Sequence, residues 1–250
     1  MKHQIALVTG ASYGVGAEIA KALALDGWHV VCTATKAKNC QETVDCILDK
    51  GGQASSHSLD LRSISSIQEL IAEITQDYGP VRGLVNNAGV NLRRNALDVT
   101  LEEWDDLMLT NLTGTFFLTQ AIGRELITKN IDGTIITISS SHGILGAPER
   151  STYGISKAGL IQMTRMLAVE WGKYNIRLNA LAPGRLMTSS PSRAGSGSDE
   201  AYIASMLSKI PLGRFAEVKH IAALCSLLLG PNGNSITGQV IPIDGGLSVQ

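Results

Sequence analysis

The sequence has no excess of either charge. Twenty-one lysines and arginines face 22 aspartates and glutamates, a formal charge of −1 at pH 7. With no basic field, nucleic acid and anionic membrane are not expected as partners, and any anion must be bound locally. Long apolar runs are also missing. The longest near the C-terminus, IAALCSLLL at 221–229, is too short to span a bilayer. Aromatics make up only 4% of the chain, so a core of Val, Ile, Leu and Ala is expected, with close backbone contacts. The four cysteines, Cys32, Cys40, Cys46 and Cys225, follow no metal-ligand spacing. All four read as reduced and structural, which together with a start that leaves no room for a signal peptide suggests a cytoplasmic protein. His29, His57 and His220 have no partners that point to a metal, and none is assigned.

What the 250 residues do contain is alternation, with 44% hydrophobic residues and 26 glycines. Short apolar runs of strand type recur at 5–10, 28–35, 55–61, 81–89, 133–141, 175–184 and 238–246. Helical stretches separate them at 16–26, 39–50, 64–78, 100–130 and from about Thr152 onward. Apolar strands alternating with helices predict an α/β fold, a doubly wound sheet of seven parallel strands with helices on both faces. Ligands then bind beyond the carboxyl ends of the strands. No linker divides the chain, so one domain, 1–250, is expected. One segment departs from the pattern, the Ser- and Gly-rich stretch from 188 to about 202–210, and a mobile lid over a substrate is expected there.

The first strand ends in VTGASYGVGAEIA. Gly10, Gly14 and Gly16 permit positive φ and let backbone N–H groups, with the helix dipole, approach a pyrophosphate. A tight turn that binds nothing would look the same. Asp60, placed at the end of the third strand, is suited to accept a hydrogen bond from an adenine amino group. NNAG at 86–89 leaves room for a flat ligand, or ties strand ends together. Further on, RSTYGISKAGL puts Tyr153 and Lys157 four residues apart, on one helix face. Such a pair is ordinary surface decoration unless matching parts exist. If they do, an ammonium ~4 Å from a phenol oxygen at an effective dielectric of ~20 stabilises the phenolate by up to ~4 kcal/mol. That suits a group asked to give a proton to an alkoxide and take it back.

TGASYGVG, NNAG, Asn111, ITISSS, Tyr153-x-x-x-Lys157, NALAPG and GQVIPIDGG occur in this order over essentially the whole chain. In this the sequence resembles the short-chain dehydrogenase/reductase family. The resemblance implies a Rossmann fold and interconversion of a ketone with a secondary alcohol by a nicotinamide dinucleotide. It implies Tyr153 as acid/base, Lys157 as its electrostatic partner and ribose ligand, and Ser140 as the substrate-orienting hydroxyl. Asn111 would distort its helix and hold a water leading to the lysine. Cofactor contacts would come from Gly10, Ser12, Tyr13, Gly14, Val15, Gly16, Asp60, Leu61, Asn87, Ala88, Gly89, Pro183, Gly184 and Thr188. The second strand ends in Thr35 and Lys36 with no acid, which favours NADP(H) over NAD(H), although Tyr13 stands where many NADP-using relatives have arginine.

His142 and Arg150 flank the expected substrate pocket between Ser140 and Tyr153. Arg93 and Arg94 follow the cofactor loop, either in contact with a carboxylate, phosphate or sugar hydroxyl, or, as preferred here, in a solvated loop or an intersubunit salt bridge. The texture is similar to 3-oxoacyl carrier-protein reductases and to gluconate and polyol dehydrogenases. A homotetramer, with the helices at 101–129 and 152–173 packing across a two-fold axis, is the usual family assembly. A silent nucleotide-binding scaffold is the competing function class, and the intact set of motifs favours the enzyme.

Overall fold

The computed structural model describes residues 4–186 and 200–249. Strands and helices alternate: β1 (Ile5–Thr9), α1 (Gly14–Leu25), β2 (His29–Ala34), α2 (Gln41–Leu48), β3 (Gln53–Ser58), α3 (Ile64–Asp77) and β4 (Val81–Asn86). The second half adds α4 (Leu101–Met108), α5 (Gly114–Lys129), β5 (Gly133–Ile138), α6 (Ser151–Trp171), β6 (Ile176–Pro183), α7 (Glu200–Leu207), α8 (Val218–Leu229) and β7 (Val240–Ile243). The seven strands form one sheet in the order β3-β2-β1-β4-β5-β6-β7, and every pairing is parallel. The doubly wound Rossmann expectation holds.

Strand alternation decides which face each residue serves. Ala6 and Val8 of β1 enter a core with Ile19 and Leu23 of α1 and Ile221 and Leu228 of α8. Ile5 and Leu7 enter the opposite core, with Ile67 of α3, Leu118 and Ile122 of α5 and Leu160 of α6. The chain winds outward from β1 to β2 and β3, then returns to place β4 on its other side. The crevice at that reversal, above the carboxyl ends of β1 and β4, is where such sheets take ligands.

Three elements differ from the sequence reading. β3 runs from Gln53 to Ser58, so Leu59–Leu61 lie past it and Asp60 sits in the following turn. The helix expected over 100–130 is two helices, α4 opened by a Thr100/Glu103 capping box and α5, joined by a π-helical turn at Leu109–Thr113. The polar stretch after β6 contains α7, and α8 follows where no helix was assigned. α7 occupies part of the segment expected as a lid. The rest of that segment, with Thr188, lies outside the described residues. No helix among the described residues is long and apolar enough to cross a membrane.

Candidate active site

The glycine loop and NNAG form a single bonded unit. Asn87 Nδ2 donates to the carbonyls of Thr9 (2.9 Å) and Gly10 (3.1 Å). Thr9 Oγ1 accepts from the amides of Asn87 (3.0 Å) and Ala88 (2.9 Å). Gly10 has φ +65, and a Cβ there would stand 2.9 Å from Ala88 Cα. A Cβ on Gly16 would overlap the carbonyl oxygen of Gly10. Gly14, with φ +62, faces open space instead, so its requirement is purely one of backbone conformation. Tyr13 is the N-cap of α1 and offers no side-chain acceptor to its first turn. An uncapped helix start beneath an open glycine loop fits a pyrophosphate. Ser12 and Val15 are half-buried in the same loop.

Beyond β2, Thr35 and Lys36 are exposed and no acidic residue occurs from 35 to 39. The amide of Ala37 donates to Ser58 Oγ, 3.1 Å, which closes this corner against β3. Asp60 Oδ1 accepts from the Arg62 amide (2.9 Å) and Nε (3.3 Å). The Arg62 guanidinium holds the Asp60 carboxyl below the usual carboxylate range. Leu61 is buried behind it.

The four expected catalytic side chains converge on the ends of β4 and β5. Asn111 lies inside the π turn and is fully buried. Its Oδ1 accepts from the Val90 amide (2.8 Å), and its Nδ2 donates to the Val90 carbonyl (2.9 Å) and Ser156 Oγ (3.2 Å). The side chain thus pairs with backbone as a strand would, which gives the distorted helix its reason. Lys157, buried, donates to the Ile138 carbonyl at 2.9 Å and stands over the Tyr153 ring, 5.7 Å from its centroid. An ideal Cβ on Gly89 would come 3.0 Å from Asn111 Oδ1 and 3.6 Å from Lys157 Nζ, so a side chain there would crowd the ammonium. Among the described residues the Tyr153 hydroxyl makes no hydrogen bond to protein.

Of the three consecutive serines, Ser139 is occupied, donating to the Lys157 carbonyl at 2.8 Å. Ser140 Oγ accepts from the His142 amide (3.2 Å) and lies 3.4 Å from His142 Nδ1. The His142 ring meets Tyr153 edge-on, centroids 6.1 Å apart. Pro183 is buried at the end of β6, and Gly184 fits because a Cβ would come 2.8 Å from Asp244 Cα.

Arg150 Nη1 donates to Asn91 Oδ1 (2.6 Å) and the Leu92 carbonyl (3.4 Å), stapling the loop after NNAG to the start of α6. Arg93 pairs with Glu149 (2.5 Å) and Arg94 with Glu103. Both guanidinium groups are exposed and paired within the chain, as a solvated loop would have them. The sequence reading missed Arg185, whose guanidinium meets Tyr202 and Phe215. A cation directly after Pro183–Gly184 was the available signal.

Residues 10–248 match a family profile described as Enoyl-(Acyl carrier protein) reductase. A 3-oxoacyl-[acyl-carrier-protein] reductase of Thermotoga maritima is 35% identical over all of this chain and 99% of its own. A gluconate 5-dehydrogenase of Gluconobacter oxydans is 32% identical over 98% of this chain and 94% of its own. Among solved structures, an actinorhodin polyketide ketoreductase with NADPH superposes with a TM-score of 0.92. It is 30% identical and the match covers 99% of this chain and 98% of that one.

Proposed function

The chain belongs to the short-chain dehydrogenase/reductase family, oxidoreductases acting on CH–OH and C=O groups, and from that premise we propose that it reduces a ketone or 3-oxo group to a secondary alcohol with NADPH, Tyr153 giving the proton. The observation that carries this reading is the Tyr153 hydroxyl, which has no protein hydrogen bond among the described residues. It lies in a cluster whose other members are bonded into place.

A bound nicotinamide dinucleotide supplies the hydride. Its pyrophosphate would lie on the glycine loop, its adenine near Asp60 and Leu61, and its nicotinamide half between Asn87–Gly89 and Pro183–Gly184, with Thr188 as a further contact. Thr35 and Lys36 would take the 2′-phosphate. The missing acid beyond β2 supports NADPH over NADH, as does the NADPH carried by the polyketide ketoreductase neighbour.

The chain's own groups do the rest. As negative charge develops on the carbonyl oxygen, Tyr153 Oη–H donates to it and transfers its proton, while the Ser140 hydroxyl bonds the same oxygen and fixes its direction. The phenolate left behind is stabilised by the Lys157 ammonium. Its Nζ lies 5.7 Å from the centroid of the Tyr153 ring, close enough for its charge to favour the anion over the neutral phenol. Ile138 O and Asn111 keep Lys157 and the Val90 loop in register.

Loss of NADPH absorbance across a panel of ketones tests the reading. Tyr153→Phe should lower turnover at least ~10³-fold and leave nucleotide affinity within a few-fold. Equal loss of both would refute the assigned role. Intact nucleotide binding with no ketone turned over would favour the silent scaffold.

A homotetramer is the assembly we propose. Leu101, Leu109 and Phe117 on α4, the π turn and α5, and Ile155, Met166 and Val169 on α6, are exposed and would be covered in it. Sedimentation velocity checks this, a monomer being the contrary result.

A further inference from the structure

Building on the reductase reading, we propose that Arg185, backed by Arg150 and Arg93, forms an oxyanion-recognition site at the substrate end of the cleft, so that the ketone carries a carboxylate or a phosphate.

Arg185 is half-buried directly after Pro183–Gly184, at the carboxyl end of β6. Its Nη1 donates to Tyr202 Oη at 3.0 Å. Its guanidinium carbon lies 5.0 Å from the centroid of the Tyr202 ring and 5.6 Å from that of Phe215. Two aromatic faces fix the plane of the fork without satisfying its edge. Among the described residues no carboxylate pairs with it, and a guanidinium carries five N–H donors, of which Tyr202 takes one.

Other arginines of the chain are matched differently. Arg93 has Glu149, Arg94 has Glu103, and Arg62 has Asp60 and Asp106. Of the half-buried ones, Arg82 has Asp132, and Arg177 donates to three backbone carbonyls and Thr134 Oγ1. A partly desolvated cation without an anion is costly unless a ligand supplies one.

Arg150 and Arg93 place their charge within range of the same phenol. The Tyr202 phenol is held below its ordinary range, first by the Arg185 hydrogen bond, with the charges of Arg93 and Arg150 adding to it. The charges of three arginines, from the loop after β4, the start of α6 and the end of β6, thus act on one hydroxyl, to which Arg185 is hydrogen-bonded. Arg150 lies one helical turn before Tyr153, so an anion held there keeps the rest of the substrate beside the catalytic phenol. A guanidinium fork with donors to spare is suited to bidentate contact with planar or tetrahedral oxyanions.

The test uses the full-length enzyme with NADPH and two matched pairs: 3-oxobutanoate with its methyl ester, and dihydroxyacetone phosphate with dihydroxyacetone. In one pair kcat/KM should favour the charged member at least tenfold, and which pair does so separates carboxylate from phosphate. Arg185→Gln should lower that ratio at least tenfold, chiefly through KM, and Arg185→Lys should restore part of it. Raising the salt should also lower the ratio. A neutral preference in the wild type, or a ratio unchanged in Arg185→Gln, overturns the proposal. If none of the four ketones is turned over, the reductase reading fails separately. Calorimetric titration of succinate and of inorganic phosphate into the nucleotide-loaded enzyme then decides the site. Binding weakened at least tenfold by Arg185→Gln supports it, and no Arg185-dependent binding overturns it.

Discussion

Replacing Asn111 by alanine removes three hydrogen bonds at a fully buried position. Ser156 keeps an acceptor in the Tyr153 carbonyl, 2.8 Å away, so its loss is small. The Val90 amide and carbonyl keep nothing equivalent. An orphaned buried polar group costs ~1–3 kcal/mol, and Val90 is 46% exposed, so water reaches it and the lower end applies to each. Against that ~2 kcal/mol, plus a small cavity, stands the better helix propensity of alanine, about 0.6 kcal/mol. The net loss is ~2 kcal/mol, or roughly 4–8 °C in Tm for a chain of this size. Asn111→Asp should do no better, because a carboxylate oxygen would face the Val90 carbonyl. Calorimetric melting and hydrogen exchange at the Val90 amide are the measurements. Melting within 1 °C of the wild type, with Val90 protection intact, would refute the idea that this side chain holds the π turn open against the loop.

Gly114→Ala should destabilise although alanine is the better helix former, since its Cβ would overlap the Leu61 carbonyl oxygen. Overpacking of ~1–3 kcal/mol outweighs about 1 kcal/mol of propensity, and chemical denaturation showing a stabilised variant would contradict this. Iodoacetamide on the native protein should label Cys46 first. Burial pushes the Cys32 and Cys40 thiols up to about 12 and about 11, and raises Cys225 as well; mass spectrometry finding early label on any of these three would count against the packing described. The Asp60 carboxyl is depressed by Arg62, so its contribution to stability is present above the ordinary carboxylate value and lost as pH falls through the lowered one. The small Tm difference between wild type and Arg62→Gln should therefore vanish on acidification, and a difference that persists unchanged at low pH would exclude this pair as its source.

Local pattern carried the fold a long way. Apolar runs located six of the seven strands, because burial leaves an unbroken hydrophobic signature. It failed at β3, whose residues Gln53–Ser58 are mostly polar. There the apolar Leu59 and Leu61 drew the reading three residues too far. β3 is an edge strand, and an edge needs less apolar surface than the centre. The break between α4 and α5 was hidden for another reason, since helical periodicity continues through Leu109–Thr113 while the cause, Val90, lies some twenty residues earlier. Asn111 was singled out by the family resemblance, yet its bonds to Val90 could not be read from spacing. The Tyr153–Lys157 spacing was visible because it is a property of one helix. Arg185, Tyr202 and Phe215 come from a strand end, a helix and a loop, and only tertiary structure brings them together.

The winding order has a consequence for a chain still being made on the ribosome. Its first three strands pair only with one another until β4 is made, and they provide only one wall of the nucleotide crevice. The second wall arrives with Asn87 and Ala88, whose amides reach back to Thr9 across nearly eighty residues. Until they emerge from the exit tunnel, the glycine loop lacks the bonds that tie it to its opposite wall, so a dinucleotide has only half a crevice with which to stabilise the nascent N-terminal portion.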